Sequence, residues 1–404
     1  MRFDDAVKYL LGLGHETLTI KLGLLNTELL LQSLDNPERT FPAVQIAGTN
    51  GKGSTAVMLD SICRAAGIRT GLYTSPHLVS ITERIQIAGE QISEEDFARH
   101  TEVVREASER LLESGDIDAL PTFFEQLTAI ALLAFREVHI ELAILETGLG
   151  GRLDSTTAAK AGIVAITRIA MDHEQYLGET IESIASEKAA IIRPGVTAVI
   201  GKQDPEALSV LLQRCEETNV EPTLAFTLPA ERFLIGLRGR HQLENAAIAI
   251  SLAETLSISR DAIITGLETS HHPGRLELIP TQPPVLLDGA HNPDGAHALR
   301  IYLEEFAQRP LTLVFGAMRD KKLERIAEIL FPLANNLILT AIDNPRAASL
   351  ETLTAIAMRF TRGSVTECET VSDAYHAARR QTPPEGLICV TGSLYLIGEW
   401  KQLT

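Results

Sequence analysis

Short apolar runs alternate with longer amphipathic stretches along the chain. PAVQIA (42–47) precedes a helical pattern over 54–66, ELAILE precedes one over 179–191, and TLVFGA precedes one over 321–332. Apolar runs this short fit strands buried on both faces, whereas apolar residues spaced by three and four fit helices that cover a sheet. The alternation predicts an α/β fold with mostly parallel sheets. No internal repeat of about 20 to 50 residues and no low-complexity tract interrupts it. The clearest break is HHPGRLELIPTQPPV, where His271 to Pro284 carries four prolines and a glycine before a fresh strand-helix series begins. A domain boundary near Pro273, with residues 273–284 as linker, divides the chain into 1–272 and 273–404.

Polar, glycine-rich segments follow one apolar strand after another. VQIA runs into GTNGKGS, GLYT into SPH, LAIL into Glu146, AITRIAM into Asp172 and His173, VLL into DGAHN, and LICV into TGS. In open parallel sheets ligands bind beyond the carboxyl ends of the strands. Two sheets, each with such an edge, predict a cleft between two domains.

The length of 404 residues allows two domains with sizeable cores. Against 36 basic residues stand 53 acidic ones, a formal net charge of −17. That field repels phosphate backbones and anionic lipid, which argues against nucleic acid and membrane surfaces as partners. An anionic small substrate then requires local groups that overturn it. The cysteines, Cys63, Cys215, Cys368 and Cys389, lie far apart and form no C-x-x-C pair. Neither a zinc ribbon nor a disulfide framework is indicated, and a reducing cytoplasm fits best. No run approaches about 18 uninterrupted apolar residues, so neither secretion nor a membrane span is expected.

The local chemistry begins at Gly48-Thr49-Asn50-Gly51-Lys52-Gly53-Ser54, which follows a strand and opens a helix. Glycines let backbone N–H groups face a phosphate, and the helix N-terminus favours negative charge. Lys52 would reach the β and γ phosphates, and Ser54 would hold magnesium. The spacing departs from G-x-x-x-x-G-K-[ST]: Ile46 stands at the first glycine position and Gly53 separates Lys52 from Ser54. Ser75, Glu146, Asp172 and His173 end strands and offer donors to a hard cation. Taken singly, Glu146 fits a charged strand end as well, and His173 a hydrogen-bonded structural histidine. The segment Glu146 to Asp154 packs three glycines around two acids and an arginine, either for close approach to a phosphate or acyl group or as a tight turn. Thr122 and Glu125 read as a capping box. Lys188, near a helix end ahead of Pro194-Gly195, reads by itself as a solvated lysine. Asn245, early in another helix, would read an adenine edge or cap. Asn292 and Pro293 are explained as N-cap and first helical residue, which leaves Asp288 and His291 without a structural reason.

Collectively these residues resemble the Mur ligase superfamily and, within it, the folylpolyglutamate synthase/dihydrofolate synthase family. The resemblance runs over essentially the whole chain: IKLGLLNTELLLQSLDNP, AGTNGKGS, SPHL, TFFEQLTAIA, ETGLGGRLD, DHEQYLG, EKAAIIRPG, GRHQLENA, HHPGRLE, LLDGAHNP, FGAMRDKK and VTGSLYL. Thr147, where a valine is expected, and Thr157, where the family often has asparagine, depart from it. The resemblance implies an N-terminal P-loop ATP-binding domain and a smaller C-terminal Rossmann-like glutamate-ligase domain. It implies that Gly48 to Ser54 bind ATP with Asn245 on adenine, Arg275 on the phosphates and Asp288 at the ribose or hinge. It further implies that Ser54, Ser75, Glu146 and His173 surround magnesium. Lys52, Asp154, Lys188, His291 and Ser393 form the implied catalytic set, with Lys188 carbamylated and His291 and Ser393 on the glutamate side. The implied partners are L-glutamate and a dihydropteroate or reduced folate, held by the 15–27 and 75–85 segments, and the same resemblance implies a monomeric enzyme that is bifunctional in its acceptors. A Mur-type ligase acting on a cell-wall precursor would need a sugar-nucleotide-binding domain, and only about 40 residues stand before the loop. A non-catalytic nucleotide-binding protein would need no cluster such as Glu146, Asp154, His173 and Asp288.

Overall fold

The computed structural model describes residues 1–14, 23–228, 234–307 and 309–404. Eight strands form the first sheet. They are β1 (Ala43–Ala47), β2 (Thr70–Tyr73), β3 (Ile85–Ile87), β4 (Glu90–Gln91), β5 (Leu142–Glu146), β6 (Ile163–Ile166), β7 (Thr197–Ile200) and β8 (Thr223–Leu224). Their order is β4-β3-β2-β5-β1-β6-β7-β8, parallel except where β3 pairs with β2 and β4. All five residues of β1 are buried, as expected for a central strand covered on both faces. One face carries Val44, Ile46, Met58, Leu59, Ile62, Ile144 and Leu252 into a core with the helices Lys52–Ala65, Gln242–Thr255 and Arg260–Thr269. The other carries Ala43, Tyr73 and Leu145 against Phe97, Leu127, Ile130 and Phe135 of the helices Glu94–Ser114 and Phe123–Glu137. Each such leucine, isoleucine or phenylalanine stabilises the fold by about 1.5–3 kcal/mol. Gln45 breaks the apolar run of β1, and its buried amide donates to Thr156 Oγ1 (3.0 Å) and Thr157 Oγ1 (2.7 Å).

The second sheet has six strands, β9 (Glu277–Ile279), β10 (Val285–Asp288), β11 (Leu311–Phe315), β12 (Asn336–Thr340), β13 (Ser364–Cys368) and β14 (Leu387–Thr391). The order is β13-β12-β11-β14-β10-β9, parallel except for β9 against β10. Here the structure corrects the linker reading of 273–284, because Glu277–Ile279 is the edge strand of the second sheet. Prolines at 280, 283 and 284 flank that strand rather than interrupt it, which an edge position tolerates. The capping expectations hold: Thr122 and Glu125 form a reciprocal capping box, and Asn292 caps Pro293–Phe306.

Candidate active site

The loop after β1 stands between the loops after β5 and β6, where the strand order turns and open α/β sheets bind ligands. Its path is fixed by the segment after β6. Thr49 and Asn50 N–H both donate to Arg168 O (2.9 and 3.1 Å), and Thr49 Oγ1 donates to Ala170 O (3.0 Å). At Gly51 (φ +91°) a Cβ would lie 2.1 Å from Asn245 Oδ1, so only glycine fits. At Gly53 a Cβ would meet His272 Cε1 at 2.9 Å and Glu146 Oε2 at 3.2 Å. The glycine that departs from the usual phosphate-loop spacing therefore lets an imidazole and a carboxylate close on the helix start. Lys52 Nζ donates to Gly48 O and Thr49 O, each at 3.2 Å, and Lys188 Nζ donates to the same Gly48 O at 2.8 Å. Burial lowers the proton affinity of Lys52. Burial and then the neighbouring Lys52 charge push Lys188 down to about 7.

Glu146, at the end of β5, is buried, and burial raises its carboxyl pKa against the opposing charge of Lys52. Its Oε2 accepts from Ser75 N at 3.1 Å. Ser54 Oγ lies 3.2 Å from His272 Nδ1 and 3.3 Å from Gln242 Nε2. Ser54, Ser75 and Glu146 thus gather at the helix start. His173 stands in a second group, its Nε2 3.9 Å from Asp172 Oδ2, and burial pushes its imidazole down to about 4. Among the described residues, no three or more His, Cys, Asp or Glu side chains form a metal-holding group by themselves. A buried carboxylate and a hydroxyl beside a phosphate loop are nevertheless what magnesium takes from a protein, since it completes its shell with water and phosphate. The donor set fits that ion.

Asp172 joins the two domains. Its Oδ1 accepts from Lys321 Nζ at 2.7 Å, and its Oδ2 lies 3.2 Å from Asn292 Nδ2 and 3.5 Å from His291 Nε2. Burial opposes its charge, but the hydrogen bond and charge of His291, with Lys321 and His173, hold its pKa well below the carboxylate range. Asn50 of the phosphate loop exchanges hydrogen bonds with Asn292 (3.3 and 3.0 Å) and donates to Asp294 (2.8 Å), which also accepts from Arg168. Asp172→Asn is expected to weaken this docked arrangement by roughly 3 kcal/mol, because the buried Lys321 ammonium loses its charged partner. An unchanged radius of gyration and unchanged protease resistance in that variant would sink the expectation.

The residues singled out in the sequence line one cavity of about 750 Å³, from Gly48–Ser54, Ser75, Glu146, Asp154, His173, Lys188, Asn245 and Arg275 to Asp288, His291 and Ser393. Lys188 corrects its reading as a solvated helix-end lysine, being only 4% exposed. Asp154 is occupied otherwise than a catalytic reading expects: Oδ2 accepts from Gly148 N and Leu149 N, and Oδ1 from Thr156 N and Oγ1. It holds the glycine-rich loop. Asp288 accepts from Leu276 N (2.9 Å) and Ala290 N (3.0 Å), which ties β10 to the chain at the domain junction. Ser393 caps the helix Leu394–Lys401 by accepting from Tyr395 N. Asn245 donates to Gln242 Oε1 at 2.9 Å beside the phosphate loop. Lys321 and Arg346 also line the cavity, and His272 contacts Ser54 at its phosphate-loop edge. Sequence reasoning gave none of the three a role, since their partners are distant in the chain. The 15–22 part of the segment expected to hold a pteroate lies outside the described residues. Gly23, Ser75 and Pro76 line the cavity from the remainder of the two expected segments.

Two α/β domains that close one cavity around a phosphate loop define the Mur ligase class. The Mur ligase middle domain matches residues 46–253, and the Mur ligase glutamate ligase domain matches 274–394. The chain belongs to the folylpolyglutamate synthase/dihydrofolate synthase family. It is 35% identical to the dihydrofolate synthase/folylpolyglutamate synthase of Bacillus subtilis over 95% of both chains. Its fold superposes on Mycobacterium tuberculosis folylpolyglutamate synthase complexed with ADP and AMPPCP with a TM-score of 0.90, at 32% identity over 99% of both chains. A Yersinia pestis bifunctional folylpolyglutamate synthase/dihydrofolate synthase complexed with AMPPNP and manganese superposes with a TM-score of 0.87, at 28% identity over 100% of this chain and 98% of that one. The chain spans about half the length of two further relatives, bifunctional folylpolyglutamate synthase/dihydropteroate synthases from haloarchaea, which are 34% identical over 99% of it. No described helix is long and apolar enough to cross a membrane.

Proposed function

We propose that this protein joins L-glutamate to the carboxylate of a dihydropteroate or reduced folate at the expense of ATP, through an acyl phosphate, and that it accepts both kinds of acceptor. The observation that carries this reading is the composition of the cavity lined by the phosphate loop. Its lining combines the phosphate loop, Lys52, Lys188 and Arg275 with the apolar Phe123, Phe124, Leu149, Leu153, Tyr176 and Leu177, which suit a flat ring system, and with His291, Lys321, Arg346 and Ser393 from the second domain. The basic groups overturn locally the repulsion that the net charge of −17 would impose on anionic substrates.

A carboxylate is a poor electrophile, so the γ-phosphoryl group passes to it first and supplies the leaving group. The glutamate amine then attacks the acyl carbon and phosphate departs. Lys52 and the loop N–H groups offset the charge that keeps carboxylate and ATP apart. Magnesium, held by Ser54 and Glu146 with Ser75 and His173 near, would when bound supply further neutralisation of phosphate charge. Asn245 would read the adenine edge and Arg275 would face the phosphates, in keeping with their place in the cavity lining. Closure of the two domains over the site would keep out water that hydrolyses the acyl phosphate. Lys188 is suited to carbamylation: with its pKa pushed down to about 7, a large share of the amine is neutral near pH 7, and a carbamate there would convert a cation near Lys52 into an anion. The protein acts as a monomer in a reducing cytoplasm, in keeping with four free, buried cysteines.

The test is incubation with ATP, magnesium, L-glutamate and each acceptor in turn, with product mass as readout. The expected products are acceptor plus one glutamyl residue, with ADP formed in equal amount. ATP hydrolysis with no adduct for any pteroate or folate would overturn the acceptor assignment.

A further inference from the structure

We infer that His272 and Gln242 are positioning residues for Ser54: together they fix the Ser54 hydroxyl so that one lone pair stays directed at the cation site beside Glu146. The inference rests on the nucleotide and metal reading above and adds to it two side chains that no motif assigns.

A serine hydroxyl has one proton to donate and two lone pairs. Around Ser54 the hydrogen-bond directions follow from a chain of contacts together with one histidine tautomer. Asn245 Nδ2 donates to Gln242 Oε1 (2.9 Å), which fixes which end of the Gln242 amide is oxygen. The nitrogen end therefore faces Ser54 Oγ at 3.3 Å and His241 Nε2 at 3.2 Å, and uses its two protons there. With one lone pair taken by Gln242 and His272 in its Nε2–H tautomer, the tautomer this inference assigns, the Ser54 proton points to His272 Nδ1 at 3.2 Å, which accepts it. One lone pair remains. It belongs to an oxygen next to Gly53, whose missing side chain leaves room for Glu146 Oε2 and the His272 ring on the same side. A hydroxyl without these partners is free to turn its hydrogen, not a lone pair, towards a cation.

The arrangement accounts for the departure from the usual phosphate-loop spacing. With Lys and Ser separated by a residue, the hydroxyl sits elsewhere on the first helical turn and needs its own orienting partners. Gln242 supplies one from the helix Gln242–Thr255. His272 supplies the other from the junction just before the second sheet, so the metal site senses the position of the hinge segment.

The experiment measures free Mn2+ by electron paramagnetic resonance during titration of the full-length protein with AMPPNP present, for wild type, His272→Leu, His272→Asn and Gln242→Met. An asparagine Oδ1 reaches about where the histidine Nδ1 lies, so His272→Asn should restore most of what His272→Leu loses. Removing a group that orients a metal ligand typically weakens metal binding by about 10- to 100-fold. His272→Leu and Gln242→Met are each expected to do so, while AMPPNP binding without divalent metal stays at the wild-type level. A merely structural role would lower the melting temperature and weaken both affinities together. Mn2+ affinity equal to wild type in either folded variant, or loss in His272→Asn as large as in His272→Leu, overturns the inference. Absence of Mn2+ binding in wild type with AMPPNP would instead overturn the nucleotide-metal reading beneath it, independently of which acceptor is ligated.

Discussion

Lys52→Ala is expected to lower ligation by at least about 100- to 1,000-fold, the usual consequence of removing one preorganised charge donor from a site of this kind. The expectation rests on where the ammonium sits. Its Nζ donates to Gly48 O and Thr49 O, two carbonyls of the phosphate loop. Those bonds are long, and burial already makes the cation costly there, so a phosphate oxygen competes for it effectively. The substitution removes no core contact, because the side chain packs on the loop and not on the sheet. Loss of the two bonds should cost the fold only about 1–2 kcal/mol, a few degrees in melting temperature. Steady-state ligation, thermal melting and AMPPNP binding on the same preparation check it. Ligation near the wild-type rate at saturating ATP would remove Lys52 from the mechanism, and a collapsed melting curve would mark the residue as structural.

Much of this site is visible in the chain because its parts are local. The phosphate loop follows a fully apolar strand and opens a helix, and nothing distant is needed to place Gly48 to Ser54 at a strand end. Glu146 and Asp288 were placed for the same reason, as the ends of β5 and β10, and Ser393 follows β14 closely, whereas β6 ends at Ile166, short of the strand expected to run into His173, which instead stands at the N-cap of the helix Glu174–Leu177. What stayed hidden depends on tertiary packing. The pattern around Lys188 is the same whether a helix end meets water or another loop, and only the fold shows that it meets Gly48 O. Lys321 lies in a charged run that reads as solvated, yet its partner is 149 positions upstream. The strand Glu277–Ile279 was obscured by its prolines, which a central strand would reject and an edge strand tolerates. For Asp154 the sequence left open chemistry or a tight turn, and the hydrogen bonds show a carboxylate that organises the glycine-rich loop around it.

Lys188→Met should separate function from stability, since the two are expected to move in opposite directions. The folded-state pKa of Lys188 is about 7 against an ordinary value of 10.5. Between those values the unfolded chain binds a proton that the folded one does not, so stability rises with pH over that window; below about 7 the penalty is constant and largest. The shift corresponds to an unfavourable contribution on the order of 5 kcal/mol at its full extent, less whatever the bond to Gly48 O returns. An apolar side chain of similar length removes the penalty, so the variant is expected to be several kcal/mol more stable than wild type at pH 6 and to lose that advantage by about pH 10. Ligation should nevertheless fall by about 100-fold or more, because neither an ammonium nor a carbamate remains opposite Lys52. Carbamylation adds a second signature: wild type should gain stability and activity in bicarbonate buffer over CO2-free buffer, with a carbamate carbon resonance from 13C-labelled bicarbonate, while Lys188→Met responds to neither. Full ligation activity in Lys188→Met would exclude a catalytic role for the residue, and a wild-type enzyme indifferent to CO2 would exclude the carbamate while leaving the buried amine as the functional form.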